Sequence, residues 1–226
     1  MKIRITVFIV IILFAATLFG NEVKNNAQVS HKELDKSVEI NRLGKDIVEK
    51  AKSVRTIKSD FKQEKVLSFL SKKIVSGGKF IFEKKDSVNK VKWEYTVPFK
   101  YTIVIDGSRI FMKDSNRVTS FEMSSSRVFE EINRIMVGSL NGTILNDSEN
   151  FFINIEKKGR ELNVFMTPRD KSEMSKYFKT IEMILDKNDL TVSRLSMIEV
   201  SGDRTDLFFT GKKINGTIDP SEFKVE

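Results

Sequence analysis

The residue types that usually carry catalysis or bind metals are sparse in this sequence of 226 residues. It contains one histidine, His31, and no cysteine, and its carboxylates do not cluster at the spacing of a metal site. Gly77-Gly78 is not followed by a phosphate-binding loop, and no serine stands in a Gly-x-Ser-x-Gly motif. Glu130 and Glu131 are adjacent on a predicted helix surface, where hydration explains them better than a glycosidase pair does. The sequence therefore predicts no enzyme activity, no metal and no cofactor, and it directs attention to binding.

Binding chemistry is concentrated in an apolar and aromatic stretch between Lys90 and Lys113. Val91, Trp93 and Tyr95 alternate with charged residues, which is the period of a strand with one covered face. A second strand is predicted over 101–105, and Asp106-Gly107 is a two-residue hairpin signal that leads into a third strand over 109–113. These patterns predict an antiparallel meander with a wide aromatic face.

Two amphipathic helices are predicted to cover such a face. In the first, over 37–54 with Ser37 as N-cap, apolar residues recur at steps of three and four, namely Ile40, Leu43, Ile47, Ala51 and Val54. The second follows Ser124–Ser126 and ends at Asn141-Gly142, and its apolar stripe includes Phe129, Ile132, Ile135 and Met136.

The rest of the chain alternates as strands separated by turn residues. About ten strands are predicted, with a bulge at Gly77-Gly78 and a last strand over 223–225. A sheet of this size tends to curl, so we expect a mainly β (α+β) fold in which a curled antiparallel sheet forms an open half-barrel. The two helices would act as its lid. The eighteen phenylalanines fit a wide interior, although on composition alone an ordinary Phe-rich core explains them better.

The amino-terminal region has the layout of an export signal. Lys2 and Arg4 precede an apolar run from Ile5 to Phe19, and this run of about fifteen residues is shorter than the roughly twenty of a membrane-spanning helix, which is the alternative. We therefore predict a signal peptide over 1–20 that is cleaved, a flexible linker over 21–36 and one domain over 37–226. The net charge of +8 suits an anionic membrane surface or acidic partners, or is simply a solubilising surface, and export argues against nucleic acid.

The spacing Trp93-x4-Pro98-x7-Asp106-Gly107 resembles the signature of LolA-type lipoprotein carriers. Asp60-Phe61-Lys62-Gln63, Gly78-Lys79-Phe80, Leu162 to Arg169 and Gly202 to Thr205 resemble further family segments in the same order, so the resemblance covers roughly residues 40–225. The family usually has Arg-Pro after the Gly-x-aromatic strand, where this sequence has Lys84-Lys85.

This resemblance implies a periplasmic chaperone with an open barrel and a helical lid. Such a carrier takes acylated lipoproteins from an inner-membrane lipoprotein-release ABC complex to the outer membrane, where an outer-membrane receptor is an open question, and we expect a monomer. The expected acyl-chain cavity consists of Phe80, Phe82, Trp93, Tyr95, Ile103, Ile105 and Phe111. The expected lid consists of Ile40, Leu43, Ile47, Phe129, Ile132 and Met136. Lys84 takes the place of the family's arginine and is the candidate lid latch.

A different class of protein fits the same sequence features. A related fold could act as a periplasmic lipid- or stress-sensing module that controls a membrane-bound regulator. Co-purified proteins separate the two hypotheses, because a carrier brings acylated lipoproteins and a sensor brings a regulator. The outer-membrane receptor shares the fold but is normally lipidated, and the absence of cysteine argues against that role.

Overall fold

The computed structural model describes residues 31–70, 72–85, 88–114, 117–159, 161–186 and 188–225, with side chains described from Arg42 onward and Val128 excepted. The predicted signal peptide and residues 21–30 of the predicted linker lie outside this range. All statements below concern the described residues.

One antiparallel sheet of eleven strands dominates the structure. Its order is β6-β5-β4-β3-β2-β1-β11-β10-β9-β8-β7, so β6 and β7 form two separate edges and the sheet does not close on itself. The strands are β1 Thr56–Val66, β2 Ile74–Lys85, β3 Val88–Val97, β4 Tyr101–Asp106, β5 Arg109–Asp114, β6 Arg117–Glu122, β7 Phe151–Lys158, β8 Glu161–Pro168, β9 Phe178–Asp186, β10 Val192–Glu199 and β11 Arg204–Ile214. The prediction of a large open antiparallel sheet with two helices is confirmed.

Two α-helices accompany the sheet, α1 over His31–Lys52 and α2 over Arg127–Leu140. Helix α2 ends where predicted, with Asn141 as C-cap and Gly142 in the left-handed conformation at φ 72°. Helix α1 begins six residues before the predicted N-cap, Ser37, and so includes part of the predicted linker. The residues between His31 and Ser37 include glutamate, leucine and lysines, which favour helix, so the helical conformation extends past a residue that could have capped it.

One further strand was missed by the prediction, and one predicted strand is wrong. Strand β6 was not predicted, because it is an edge strand whose residues are almost all exposed and show no apolar alternation. The predicted last strand over 223–225 is replaced by a short 3₁₀ helix, Pro220–Phe223. Pro220 favours the first turn of this helix, and the Asp219 side chain caps it by accepting a hydrogen bond of 2.8 Å from the Ser221 N–H.

The two faces of the sheet carry separate apolar clusters. The larger cluster joins both helices to the sheet face that carries Phe61, Phe80 and Trp93, which we call the helix face. On the opposite face, the C-terminal strap (residues 217–225) covers a smaller cluster through Ile218 and Phe223. The apolar surface where large ligands could bind therefore lies on the helix face.

The predicted bulge at Gly77-Gly78 is confirmed. The register of β2 against β3 shifts between these two glycines, since Gly77 pairs with Val97 and Gly78 with Tyr95. A Cβ atom on Gly78 would lie 1.8 Å from the carbonyl oxygen of Glu94. The glycine thus permits β3 to approach closely, and this approach positions Trp93 and Tyr95.

Candidate functional site

Aromatic rings from five neighbouring strands form a continuous cluster on the helix face. The ring of Phe61 lies edge-on to Trp93 and Tyr95, at centroid distances of 4.8 and 4.9 Å. Phe80 lies 4.5 Å from Trp93 and 5.3 Å from Phe209. Tyr101 stacks on Tyr95 at 4.0 Å. We call these six residues the aromatic cluster: Phe61, Phe80, Trp93, Tyr95, Tyr101 and Phe209.

The aromatic cluster is uncharged at neutral pH. The Tyr95 hydroxyl donates a hydrogen bond of 2.8 Å to Oε1 of Gln63, which satisfies the one polar group of this buried ring. Burial raises the pKa of Tyr95 to about 12 and also raises the pKa of Tyr101. The face therefore offers rings and aliphatic groups, which suit a hydrocarbon ligand.

Most residues predicted for the acyl-chain cavity lie on this face. Phe80, Phe82, Trp93, Tyr95 and Ile105 are buried in the larger cluster, and Ile103 packs against it. Phe111 requires a correction, because it lies on the opposite face with Ile81 and Val104. Successive residues of a strand point to opposite faces, and in β5 it is Ile110, the partner of Ile105, that faces the helices.

Both helices contribute side chains to the larger apolar cluster that also contains the aromatic cluster. From α2, Met136 is buried in the larger cluster, while Phe129 and Ile132 are half-buried against it. Phe129 also meets Phe121 of β6 edge-on, at 5.8 Å between ring centroids. From α1, Ile47 is buried and Leu43 is half-buried, whereas the side chain of Ile40 lies outside the described residues. The helices thus hold the apolar face away from water in this structure.

The end of α1 is tied to the sheet by Asn215, which follows β11. Its Oδ1 accepts a hydrogen bond of 2.7 Å from the Arg55 N–H, and its Nδ2 donates to the carbonyl of Ser53 at 3.0 Å. Asn215 has a left-handed backbone at φ 58°, which asparagine tolerates better than most residues. Lys84 lies nearby, half-buried, and its N–H donates to the Arg55 carbonyl at 2.7 Å. The latch role of the Lys84 side chain stays a prediction.

Helix α2 has its own attachment, which sequence reasoning missed. The guanidinium of Arg134 donates to Glu131 at 2.8 Å and to Asp147, which lies just before β7. Its centre also lies 5.7 Å from the ring centroid of Phe151. The bidentate fork of arginine suits this double contact. The spacing of thirteen residues between Arg134 and Asp147 gave no sequence signal.

A cleft of about 920 Å³ lies beside the contact between α1 and β7. Its apolar lining includes Val48, Leu145, Ile153 and Ile155, and Lys45, Glu49 and Lys52 also contribute to its wall. At Gly44 the helix lies in contact range of β7, since a Cβ atom there would be 3.4 Å from Cδ1 of Ile155, an ordinary van der Waals distance. This volume is within the range of ligand sites, about 300–1,000 Å³. The cleft is thus a place where the covering of the apolar face is incomplete.

Within the described ranges, no three histidine, cysteine, aspartate or glutamate side chains are grouped as metal ligands. No helix in the same part of the chain combines the length and the apolar character needed to cross a bilayer.

An open sheet with an aromatic face under two helices defines a fold suited to holding apolar ligands, and the comparisons with known proteins specify the family. Residues 52–226 match the family described as "Outer membrane lipoprotein carrier protein LolA", and the chain belongs to this family.

Two relatives, each named as an outer-membrane lipoprotein carrier protein, show how low the sequence identity to this chain is. One from Methylococcus capsulatus is 24% identical over 172 residues, which are 76% of this chain and 77% of the relative. One from Pseudomonas fluorescens is 24% identical over 134 residues, 59% of this chain, and the match spans only 61% of that relative's length. Among solved structures, the crystal structure of MucB aligns with a TM-score of 0.52 at 9% identity, over 84% of this chain and 63% of MucB. That similarity shows a shared fold alone.

Proposed function

We propose that this protein is a carrier that binds the acyl chains of lipoproteins between its helices and the aromatic cluster. The observation that carries the proposal is the apolar helix face, which is covered by two helices with separate attachments. Asn215 holds the end of α1, and Arg134 holds α2. The two attachments do not share residues. One helix can therefore move while the other helix and the sheet keep their positions.

The energetics of acyl transfer fit such an arrangement. Burial of hydrocarbon is worth about 25 cal/mol per Å², so an acyl chain gains by leaving water for the helix face. The side chains of Ile132 and Met136 pack into the apolar cluster of that face in this structure. Loading then exchanges contacts with helix side chains for contacts with acyl chains, and the two states stay close enough in free energy for release.

The same proposal includes a route for the cargo. The protein works in the periplasm, receives acylated lipoproteins from an inner-membrane ABC complex and carries them, as a monomer, to the outer membrane. Support comes from the family and from relatives named as outer-membrane lipoprotein carriers. The function is binding and transport, with no chemical step, and Lys84 serves as an additional latch.

Co-purification with a defined cargo tests the proposal. The mature protein is expressed in the periplasm together with a tagged lipoprotein, or with the same lipoprotein whose acylated cysteine is replaced by serine. We expect the acylated cargo to co-purify and the serine form to be lost. Equal recovery of both forms would overturn acyl-chain binding. Recovery of a membrane-bound regulator in place of acylated proteins would favour the sensing module instead.

A further inference from the structure

Exposed apolar side chains are concentrated at one end of the sheet. Ten large apolar residues are exposed in the described part of the chain, and seven of them belong to the β1–β2 and β3–β4 connections or to the strand ends beside them. These seven are Val66, Phe69, Leu70, Ile74, Val75, Val97 and Phe99. Phe69 is 76% exposed and Phe99 is 71% exposed. We call this set the apolar tip.

The two connections are neighbours in the sheet. Strand β2 lies between β1 and β3, and Gly77 of β2 pairs with both Lys62 of β1 and Val97 of β3. Adjacent strands are about 4.8 Å apart, so both turns leave the sheet at the same end. Phe69 and Phe99 therefore project from one end of the molecule, on two separate turns.

Polar contacts hold the first of these turns in place. The Leu70 N–H donates to the Leu67 carbonyl at 2.9 Å, which closes the turn. The Ser68 N–H donates to Oδ1 of Asp203, a buried side chain in the β10–β11 connection, at 2.8 Å. At the base of the turn, Lys65 is only 3% exposed and forms an ion pair with Glu199. These contacts fix the backbone of the turn in a conformation that leaves Phe69 exposed to water, whereas an unconstrained loop could fold the ring inward.

The charges beside the apolar tip are all positive in the two segments that form it. Residues 66–75 contain Lys72 and Lys73, residues 95–102 contain Lys100, and neither segment contains an acidic residue. Lys73 contacts Glu64 at 2.7 Å, whereas Lys72 and Lys100 are exposed and have no ion-pair partner within the described residues. Exposed rings flanked by unpaired lysines match the interface of an anionic bilayer, where rings enter the headgroup region and ammonium groups meet phosphates.

We propose that the apolar tip docks the protein transiently onto the surface of an anionic phospholipid bilayer. A bilayer accepts separate projecting rings without a complementary shape, whereas a protein partner needs a continuous matching surface. Two aromatic rings and two free lysines give a weak and reversible attachment. This proposal goes beyond acyl-chain binding, since the apolar tip lies outside the aromatic cluster.

Vesicle flotation tests the docking directly. The mature protein is mixed with vesicles of phosphatidylcholine alone or of phosphatidylcholine with phosphatidylglycerol. We expect flotation with the anionic vesicles, and about tenfold weaker partitioning for the double variant Phe69→Ser/Phe99→Ser. The variant Lys72→Gln/Lys100→Gln retains Phe69 and Phe99 and should lose only the preference for vesicles that contain phosphatidylglycerol.

The matched control is Phe152→Ser, because Phe152 is also exposed, at 57%, but lies on β7 at the far edge of the sheet. It should float as the parent protein does, and circular dichroism should show all variants folded. The Phe69→Ser/Phe99→Ser variant should still co-purify acylated cargo, because the apolar tip lies outside the aromatic cluster, so the two proposals can fail separately. Docking is overturned if the parent protein does not float with anionic vesicles, or if the Phe69/Phe99 variant floats equally well.

Discussion

Tyr95 gives the aromatic cluster a titratable group whose effect on stability has a definite sign. Burial raises its pKa from 10.0 to about 12, so the folded state keeps the proton at pH values where the unfolded chain loses it. The stabilisation is complete below pH 10 and is lost as the pH rises from 10 through 12. We expect the free energy of unfolding of Tyr95→Phe, measured by urea titration, to fall less steeply over that interval than that of the parent protein. Equal slopes would contradict the burial of Tyr95.

Gly78 provides a second prediction for a single residue. Because a Cβ atom would lie 1.8 Å from the Glu94 carbonyl oxygen, Gly78→Ala must push β3 away from β2. We expect a loss of about 1–3 kcal/mol in the free energy of unfolding. The matched control is Gly216→Ala, since no atom lies within 4 Å of the added Cβ, and its effect should stay within about 0.5 kcal/mol. Similar melting curves for both variants would show that the close strand approach is absent.

Sequence patterns predicted which residues belong to the apolar strands more reliably than they predicted the face of the sheet on which each side chain lies. Trp93 and Tyr95 alternate with charged residues, so their common face could be predicted. In β5 the adjacent residues Ile110 and Phe111 are both apolar, and period-two alternation does not tell which of them faces inward. Phe111 was predicted to line the cavity, but the C-terminal strap provides a second apolar environment on the opposite face, which the pattern of a single strand does not reveal.

Helix α2 is the element whose displacement should open the site. Full burial of an isoleucine side chain is worth about 1.5–3 kcal/mol, so replacing half-buried Ile132 by glutamate removes part of this from the covered state and also places a charge against the apolar cluster. We expect Ile132→Glu to shift the empty protein toward the open state by about one to two decades, with retention of lipoprotein cargo reduced. Hydrogen exchange of α2 and cargo co-purification measure the two effects.

The control places the same side chain at the exposed start of α2, in Arg127→Glu. This variant should exchange and retain cargo as the parent protein does. If Ile132→Glu also behaved like the parent protein, α2 would not be a movable cover.

The contacts of Arg134 predict a latch for the same helix. Arg134→Gln removes the contact with Asp147 and leaves that carboxylate without its arginine partner. We expect a loss of about 1–3 kcal/mol, seen as faster hydrogen exchange in α2 and the following 3₁₀ turn while the sheet is unaffected. Lys176→Gln is the control, since it removes an exposed pair with Glu173. Uniformly faster exchange throughout the protein would indicate a general loss of stability instead of a latch.

At the scale of elements, strong local signals predicted structure and weak ones did not. The serines over 124–126 and the Asn141-Gly142 stop predicted the two ends of α2, and its apolar stripe predicted the helix between them. Strand β6 has no such signal, because an exposed edge strand obtains its conformation from hydrogen bonds to β5, which a sequence pattern does not display. The predicted start of α1, at Ser37, is too late in the chain, because a serine that could cap a helix can also lie within one.

For the whole molecule, the arrangement places two apolar surfaces in different roles. The aromatic cluster is covered by helices, whereas the apolar tip is held open to water by contacts such as Ser68 with Asp203. The open order of the sheet could be predicted from strand count and curl. The concentration of exposed residues at one end could not, because it depends on strands being neighbours in space.

The central claim is that acyl chains reach the aromatic cluster, and the fluorescence of Trp93 tests it most directly. Trp93 is the only tryptophan of the chain and is 9% exposed beneath the helices. The mature protein is titrated with a triacylated lipopeptide whose acyl chains carry bromine, a contact quencher, and with the same lipopeptide without bromine. The account predicts saturable quenching by the brominated form alone. Stable binding of the brominated lipopeptide, shown by co-elution, without quenching of Trp93 would contradict it.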